Sequence, residues 1–438
     1  MNNFKSILIR SMVVVIFATI IISCKDDDEG EAAFELSALT ANDIDLNGAT
    51  SPSDVPTDAI ITATFAADVD PASATTTNVK LIRDYDDAEI PLSVSGSGKT
   101  LTIDPVDPLG TGTLYLLQLG AGLMSSGGQP FAAVERSFTT AGTFAPAGVV
   151  AHWSFENSAE DIVGDYDAAA ENVIDITYAA SRSEAAGQAA VLNGTSSIIE
   201  VPNGSQLLSS QFAVSFWVFL NNDGKTTGNF TFGIGNFHGL QFEMAADAKF
   251  FKFAQGIELE DGTTVTNDFA FDANGKTNQN LATADEQKGI DNATTLDKEY
   301  GGDGIQQLIA NKWAHITFVF DGANKTRALY INGEPVMKQD LKLLSGASVD
   351  AGLKPLATAK GLKFIPVDPS STDGTYNDNL AFGWWQNRDA GFGTAWGDWA
   401  VFTNPGANHF RGMLDDFRFF NTALTDTEIQ LMYNSEKP

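Results

Sequence analysis

The chain has 438 residues, 43% apolar and 19% charged, so two or three ordinary globular domains are expected. Twenty-six lysines and arginines stand against 56 aspartates and glutamates, a formal net charge of −30. A surface this acidic argues against nucleic acid, anionic lipid and polyanions as partners, and is compatible with neutral ligands and cations.

Lys5 and Arg10 precede an apolar run from Ser11 to Ile22, and Ser23 and Cys24 follow. A positive start, an apolar stretch and a small residue at the cleavage point make a secretory signal. The run is shorter than the roughly 20 residues of a spanning helix. It ends in Lys25-Asp26-Asp27-Asp28-Glu29, which cannot enter hydrocarbon. Ile21-Ile22-Ser23-Cys24 resembles a bacterial lipobox, with Ile22 departing from its stricter form. The resemblance implies that residues 1–23 are a lipoprotein signal peptide and that Cys24 is lipidated. Cys24 is also the only cysteine, so no disulfide staples the chain. Lys25-Asp26-Asp27-Asp28 resembles the acidic tract behind the lipid cysteine in Bacteroidetes surface lipoproteins. That implies an outer-membrane anchor facing the cell exterior. Residues 24–56 read as the lipidated cysteine and a flexible tether.

Short strand-like runs begin near Ala59. They are Ile60–Phe65, Val79–Ile82, Leu92–Val94, Leu101–Ile103, Leu114–Leu119 and Arg136–Thr140. Turn residues such as Asp68-Val69-Asp70-Pro71 separate them, which suggests a β-sandwich. Ala63-Thr64-Phe65 with Val69-Asp70-Pro71, Leu101-Thr102-Ile103-Asp104-Pro105 and Ser137-Phe138-Thr139-Thr140 resemble the bacterial Ig-like domains of surface proteins. The expected domain spans 57–141, in a spacer role, and Ala141 to Ala147 is a short linker.

Residues 148–438 form a second β-rich unit. Val214, Phe216 and Val218 alternate with Ser215, Trp217 and Phe219, so both strand faces carry large groups. Asn332-Gly333 signals a hairpin turn. Asp426 to Tyr433 reads as a helix, with Thr425 as N-cap and Glu428 completing a capping box. Six signatures follow a family's order. Val150–Glu156, Val191–Pro202, Phe216-Trp217, Lys312–His315, Leu329–Gly333 and Phe410–Phe420 resemble the LamG-like, concanavalin A-type jelly roll. The expected fold is therefore all-β, an Ig-like sandwich followed by a jelly roll with a short C-terminal helix. Two long polar segments, 245–310 and 362–409, depart from the pattern and read as loops.

Glu258-Leu259-Glu260-Asp261 is the nearest approach to a paired-carboxylate catalytic strand. It runs straight into Gly262 and lacks a third acid on its face, so no enzyme activity is expected. The four histidines have no metal-ligand spacing, and His152 and His315 read as packing residues. The jelly-roll resemblance implies one structural calcium on Glu156 and Asp415, with Asp416 and Asp161 as alternates. Trp153, Trp217 and Trp313 match family core positions. Trp384, Trp385, Trp396 and Trp399 do not, and lie in a Gly-rich segment with Gln386, Asn387, Arg388, Asp389, Phe392 and Asp398. Flat rings beside polar groups suit a sugar. Trp384, Trp385, Trp396, Trp399, Asn387 and Arg388 are the expected carbohydrate-binding residues.

The function expected from these readings is carbohydrate binding by a lipid-anchored surface protein. It resembles the accessory binding proteins of polysaccharide-uptake systems, with a polysaccharide as ligand and an outer-membrane transporter complex as neighbour. An adhesin binding a protein partner, or a glycoside hydrolase or lyase, are the alternatives.

Overall fold

The computed structural model describes residues 33–272, 304–348, 352–366, 377–389 and 397–438. Cys24, the acidic tract, Phe392 and Trp396 lie outside them.

The first domain is a sandwich of two antiparallel sheets. One is ordered Ile44–Asp45, Leu36–Ala41, Ile61–Phe65, Thr100–Pro105, Leu92–Ser97, and the other Ala88–Glu89, Val79–Arg83, Leu114–Leu119, Val134–Thr139. Period-two side-chain alternation builds the core between them. Ile61, Ala63 and Phe65 face Leu81, Leu117 and Phe138 in one buried cluster. All six expected strands are present. The tether expected over 24–56 is corrected for residues 34–56, and residues 24–32 lie outside the described residues. Leu36–Ala41 pairs with Ile61–Phe65, and Phe34 stacks on Phe65 at 4.6 Å. Leu39, Ala41, Leu46 and Val55 are buried. Small Ala and Thr residues dilute the apolar alternation there, so the segment carries little strand signal in sequence.

The linker is pinned. Phe144 is buried, meets Tyr85 of the first domain edge-on at 5.3 Å, and its N–H donates to Ser435 Oγ at 3.0 Å. It joins a cluster with Phe420, Leu424, Ile429 and Met432.

The second domain is a larger sandwich. Among the described residues, one sheet has eight strands, ordered Thr177–Ala180, Gln188–Asn193, Arg411–Phe420, Gln211–Leu220, Trp313–Asp321, Thr326–Ile331, Glu334–Asp340, with Val149–Trp153 also paired to Arg411–Phe420. The other has ten: Val173–Ile174, Ile198–Val201, Leu380–Phe382, Asn229–Ile234, Leu240–Met244, Phe250–Leu259, Thr264–Asp272, Ser345–Ser348, Gly352–Pro355, with Ala359–Leu362 on Phe250–Leu259. Val214, Phe216 and Val218 enter the core with Trp153, Phe232, Phe253 and Phe417. Asn332 and Gly333 both have positive φ, 53° and 79°, as a tight hairpin turn requires.

Two loop expectations are corrected. Residues 245–310 contain the long strands Phe250–Leu259 and Thr264–Asp272, and 362–409 contains Leu380–Phe382. Outward polar residues between inward aromatics made these strands look like loop.

The other face of strand Gln211–Leu220 is covered by the C-terminal helix Asp426–Glu436. Thr425 and Glu428 form the expected capping box. Trp217 is buried there, donating from Nε1 to Glu436 at 2.8 Å. His315 is buried too, its Nε2 2.7 Å from Ser215 Oγ and its ring beside those of Trp217 and Tyr433.

Candidate functional site

The outer face of the ten-stranded sheet is divided in two. Over Asn229–Ile234 it is covered by chain leaving Leu380–Phe382. Gly383 makes the exit possible: its φ is 89°, and a Cβ would stand 2.4 Å from Leu192. Gly233 admits the covering backbone, since a Cβ there would lie 2.1 Å from the Trp385 carbonyl oxygen. Trp385 stacks on Phe230 with centroids 4.4 Å apart and planes 5° apart. Trp399 tilts beside Trp385 at 5.5 Å and is 36% exposed.

Beyond these rings the face is polar. Phe242, Phe251, Phe253 and Phe269 enter the core, so alternation turns Gln241, Glu243, Lys252 and Asp268 outward. Register places Glu243 opposite Lys252, and sets Gln241, Ala254 and Asp268 in line. Lys252 Nζ lies 2.9 Å from Glu243 and 3.5 Å from Asp268. Gln241 Nε2 donates to Glu243 at 2.9 Å. Burial pushes the Glu243 carboxyl above its usual range. Burial would lower the Lys252 ammonium, but Glu243 and Asp268 outweigh it and hold it raised.

Rings and polar row together line a groove of about 820 Å³, walled by Thr226, Thr227 and Asn408. Asn408 Oδ1 accepts from the Gly228 N–H at 2.8 Å, fixing that wall. Two buried amide atoms of groove residues have no partner among the described residues. They are Asn229 Nδ2 and Gln241 Oε1, each on a residue 1% exposed. A buried polar atom left unpaired costs about 1–3 kcal/mol, which a hydroxyl-bearing ligand would offset.

Of the expected sugar-binding residues, the structure brings Trp385 and Trp399 to this groove. Trp384 is corrected: it is 1% exposed and packs edge-on against Phe230 and Phe402. Asn387 and Arg388 are half-buried and do not line the groove. Asn387 accepts from the Asn377 N–H, and Arg388 pairs with the buried Glu200 and reaches Asn172. Both hold the covering loop down. Trp396 lies outside the described residues. Asn229, Gln241, Glu243, Lys252, Asp268 and Asn408 were missed. Their one signal was polar residues alternating with aromatics in Leu240–Met244 and Phe251–Phe253.

The cation expected on Glu156, Asp415 and Asp416 meets a different arrangement. Asp416 has φ of 45° and sits at a register shift against Ser215 and Trp217, which turns two consecutive aspartates to one face. There Arg182 pairs with both, Ser181 donates to Asp415, and Arg418 pairs with Asp416 at 2.8 Å. Glu156 instead accepts from the Gln188 N–H at 3.0 Å. The alternate Asp161 is satisfied by the N–H groups of His152, Val163, Gly164 and Tyr166. Guanidinium and backbone amides thus take the oxygens a hard cation would need. Among the described residues no group of three or more His, Cys, Asp or Glu is placed to hold a metal.

Glu258, Glu260 and Asp261 sit at the turn end of a strand. Lysines take the first two, Lys363 at 3.2 Å and Lys325 at 2.9 Å, and Asp261 accepts from the Thr263 N–H.

Residues 44–140 match the model of the bacterial Ig-like domain, and residues 193–353 match that of the concanavalin A-like lectin/glucanase superfamily. The chain carries both domains. The second match includes Asn229, Gln241, Glu243, Lys252 and Asp268, while Trp385, Trp399 and Asn408 lie beyond it. No curated protein matches the chain. Among solved structures, the binding domain of Paraclostridial Mosquitocidal Protein 1 is similar at 15% identity and a TM-score of 0.37, over 66% of this chain and 52% of that one. The botulinum neurotoxin serotype D ligand-binding domain, in complex with N-acetylneuraminic acid, is 14% identical with a TM-score of 0.36, over 66% and 51%. Domain 4 of AbnA, a GH43 extracellular arabinanase from Geobacillus stearothermophilus in complex with arabinotriose, is 20% identical with a TM-score of 0.31, over 66% of this chain and all of that one. The chain spans about half the length of the toxin structures it matches.

Proposed function

We propose that this protein is a non-catalytic glycan-binding lipoprotein that presents the concanavalin A-like domain at the cell surface. The observation that carries the reading is the groove. An exposed edge of Trp399, backed by Trp385 and Phe230, stands beside buried amide, carboxylate and ammonium groups. Sugar rings offer an apolar CH face and a rim of hydroxyls, and the groove matches both. Binding is favoured over hydrolysis because Glu243 and Asp268 both engage Lys252, whereas a glycosidase needs one free acid and one free nucleophile or base. The superfamily match is consistent with a lectin role.

Affinity electrophoresis through polysaccharide gels tests the reading. The intact protein is expected to be retarded by at least one glycan. Trp399→Ala should weaken that retardation by roughly 30-fold, about 2 kcal/mol, as for loss of a central aromatic anchor. Absence of retardation in every gel would overturn the reading.

The anchor is proposed at Cys24, with the pinned linker and Ig-like domain holding the groove away from the membrane. A transporter complex of the same membrane is the proposed recipient of the glycan. Cells producing the protein should incorporate labelled palmitate into it, and Cys24→Ser should abolish both label and membrane association. Labelling that survives Cys24→Ser would place the anchor elsewhere.

A further inference from the structure

We infer that the groove is selective for uncharged glycans with free hydroxyls and rejects uronate and sulfated ones, an inference that rests on the glycan-binding reading above. The charges decide it. Glu243 and Asp268 flank Lys252, so among the described residues the polar row carries a net charge of one negative. The hydrogen-bonding complement points the same way. Gln241 Oε1 is a buried acceptor with no partner among the described residues, and lies in the same row as the two carboxylates. Asn229 Nδ2 is the matching buried donor, which a hydroxyl can satisfy by accepting. Hydroxyl groups satisfy acceptors by donating O–H, whereas ionised carboxylate and sulfate groups only accept. An acidic sugar would bring like charge within a few ångströms of Glu243 or Asp268, and its ionised group could not donate to Gln241 Oε1.

The test pairs uncharged with acidic polymers in affinity gels: hydroxyethylcellulose, xyloglucan and galactan against carboxymethylcellulose, alginate and polygalacturonate. Retardation should be confined to uncharged polymers, with affinity at least about 10-fold above any acidic one at low salt. The double variant Glu243→Gln/Asp268→Asn leaves Lys252 as the row's only charge. It should shift the uncharged-to-acidic preference by about 10-fold or more toward acidic polymers, and added salt should shrink that shift. In the unmodified protein, salt should weaken the exclusion of acidic polymers, a measurement that needs no variant to fold. Equal or tighter Trp399-dependent binding of acidic polymers would overturn the selectivity and leave glycan binding standing. Binding to none of the six would overturn the inference together with the glycan-binding reading it rests on. Binding that ignores Trp399→Ala would overturn the location of the site.

Discussion

Arg182→Ala is expected to cost the protein about 3–5 kcal/mol of stability, the range for removing one partner from a buried ionic cluster. The Arg182 side chain is 3% exposed and reaches Asp415, Asp416 at 2.6 Å and the Glu436 main-chain oxygen at 3.0 Å. Its guanidinium also lies 4.6 Å from the Trp217 ring centroid. Arg418 would still pair with Asp416 and Glu436, so the loss falls mainly on Asp415, which would keep only hydroxyl and backbone partners. Because Glu436 ends the C-terminal helix, that helix should loosen from the sheet and become the first site of proteolysis. Urea denaturation measures the first effect and limited digestion the second. Arg182→Lys should fall between, since an ammonium cannot fork between two carboxylates. A loss below about 1 kcal/mol would show that Arg418 alone carries the cluster.

His315→Gln should flatten the acid side of the stability curve. His315 is fully buried, and burial, then the positive Arg418 and Arg182, push its pKa down to about 3. A depressed histidine contributes stability that is complete above its unfolded value near 6.5 and is lost as pH falls toward 3. The slope is up to about 1.4 kcal/mol per pH unit, so roughly 5 kcal/mol accrues across the window. His238, lowered by burial to about 4, acts in the same direction and stays in both proteins. The difference between the two curves therefore isolates one proton. Parallel curves between pH 6 and pH 4 would show that His315 is not held neutral.

Arg182 and His315 both pack against Trp217 on the outer face of strand Gln211–Leu220. The alternation of Ser215, Trp217 and Phe219 announced a covered second face, and the sequence also placed the helix that covers it, through Thr425 and Glu428. It could not announce Arg182 as the partner of Asp415 and Asp416, because that pairing spans more than 230 residues. The residues expected to hold calcium are engaged by Arg182 and Arg418 instead. Acids in the right strands imply a cation, but only the folded chain shows which cation arrives.

The groove divides the same way. Local patterning announced the short strands of the first sandwich, the turns and the capped helix, because period-two alternation and turn chemistry act over a few residues, while the second sandwich was expected from its resemblance to the jelly-roll family. Which tryptophan faces a ligand was decided by tertiary contacts. Trp384 is buried by Phe230 and Phe402, while Trp399 keeps an open edge. The polar half of the site was decided by sheet register, which aligns Gln241 with Asp268 and Glu243 with Lys252 across strands distant in sequence. Register depends on hydrogen bonds between strands, and no single strand carries that information.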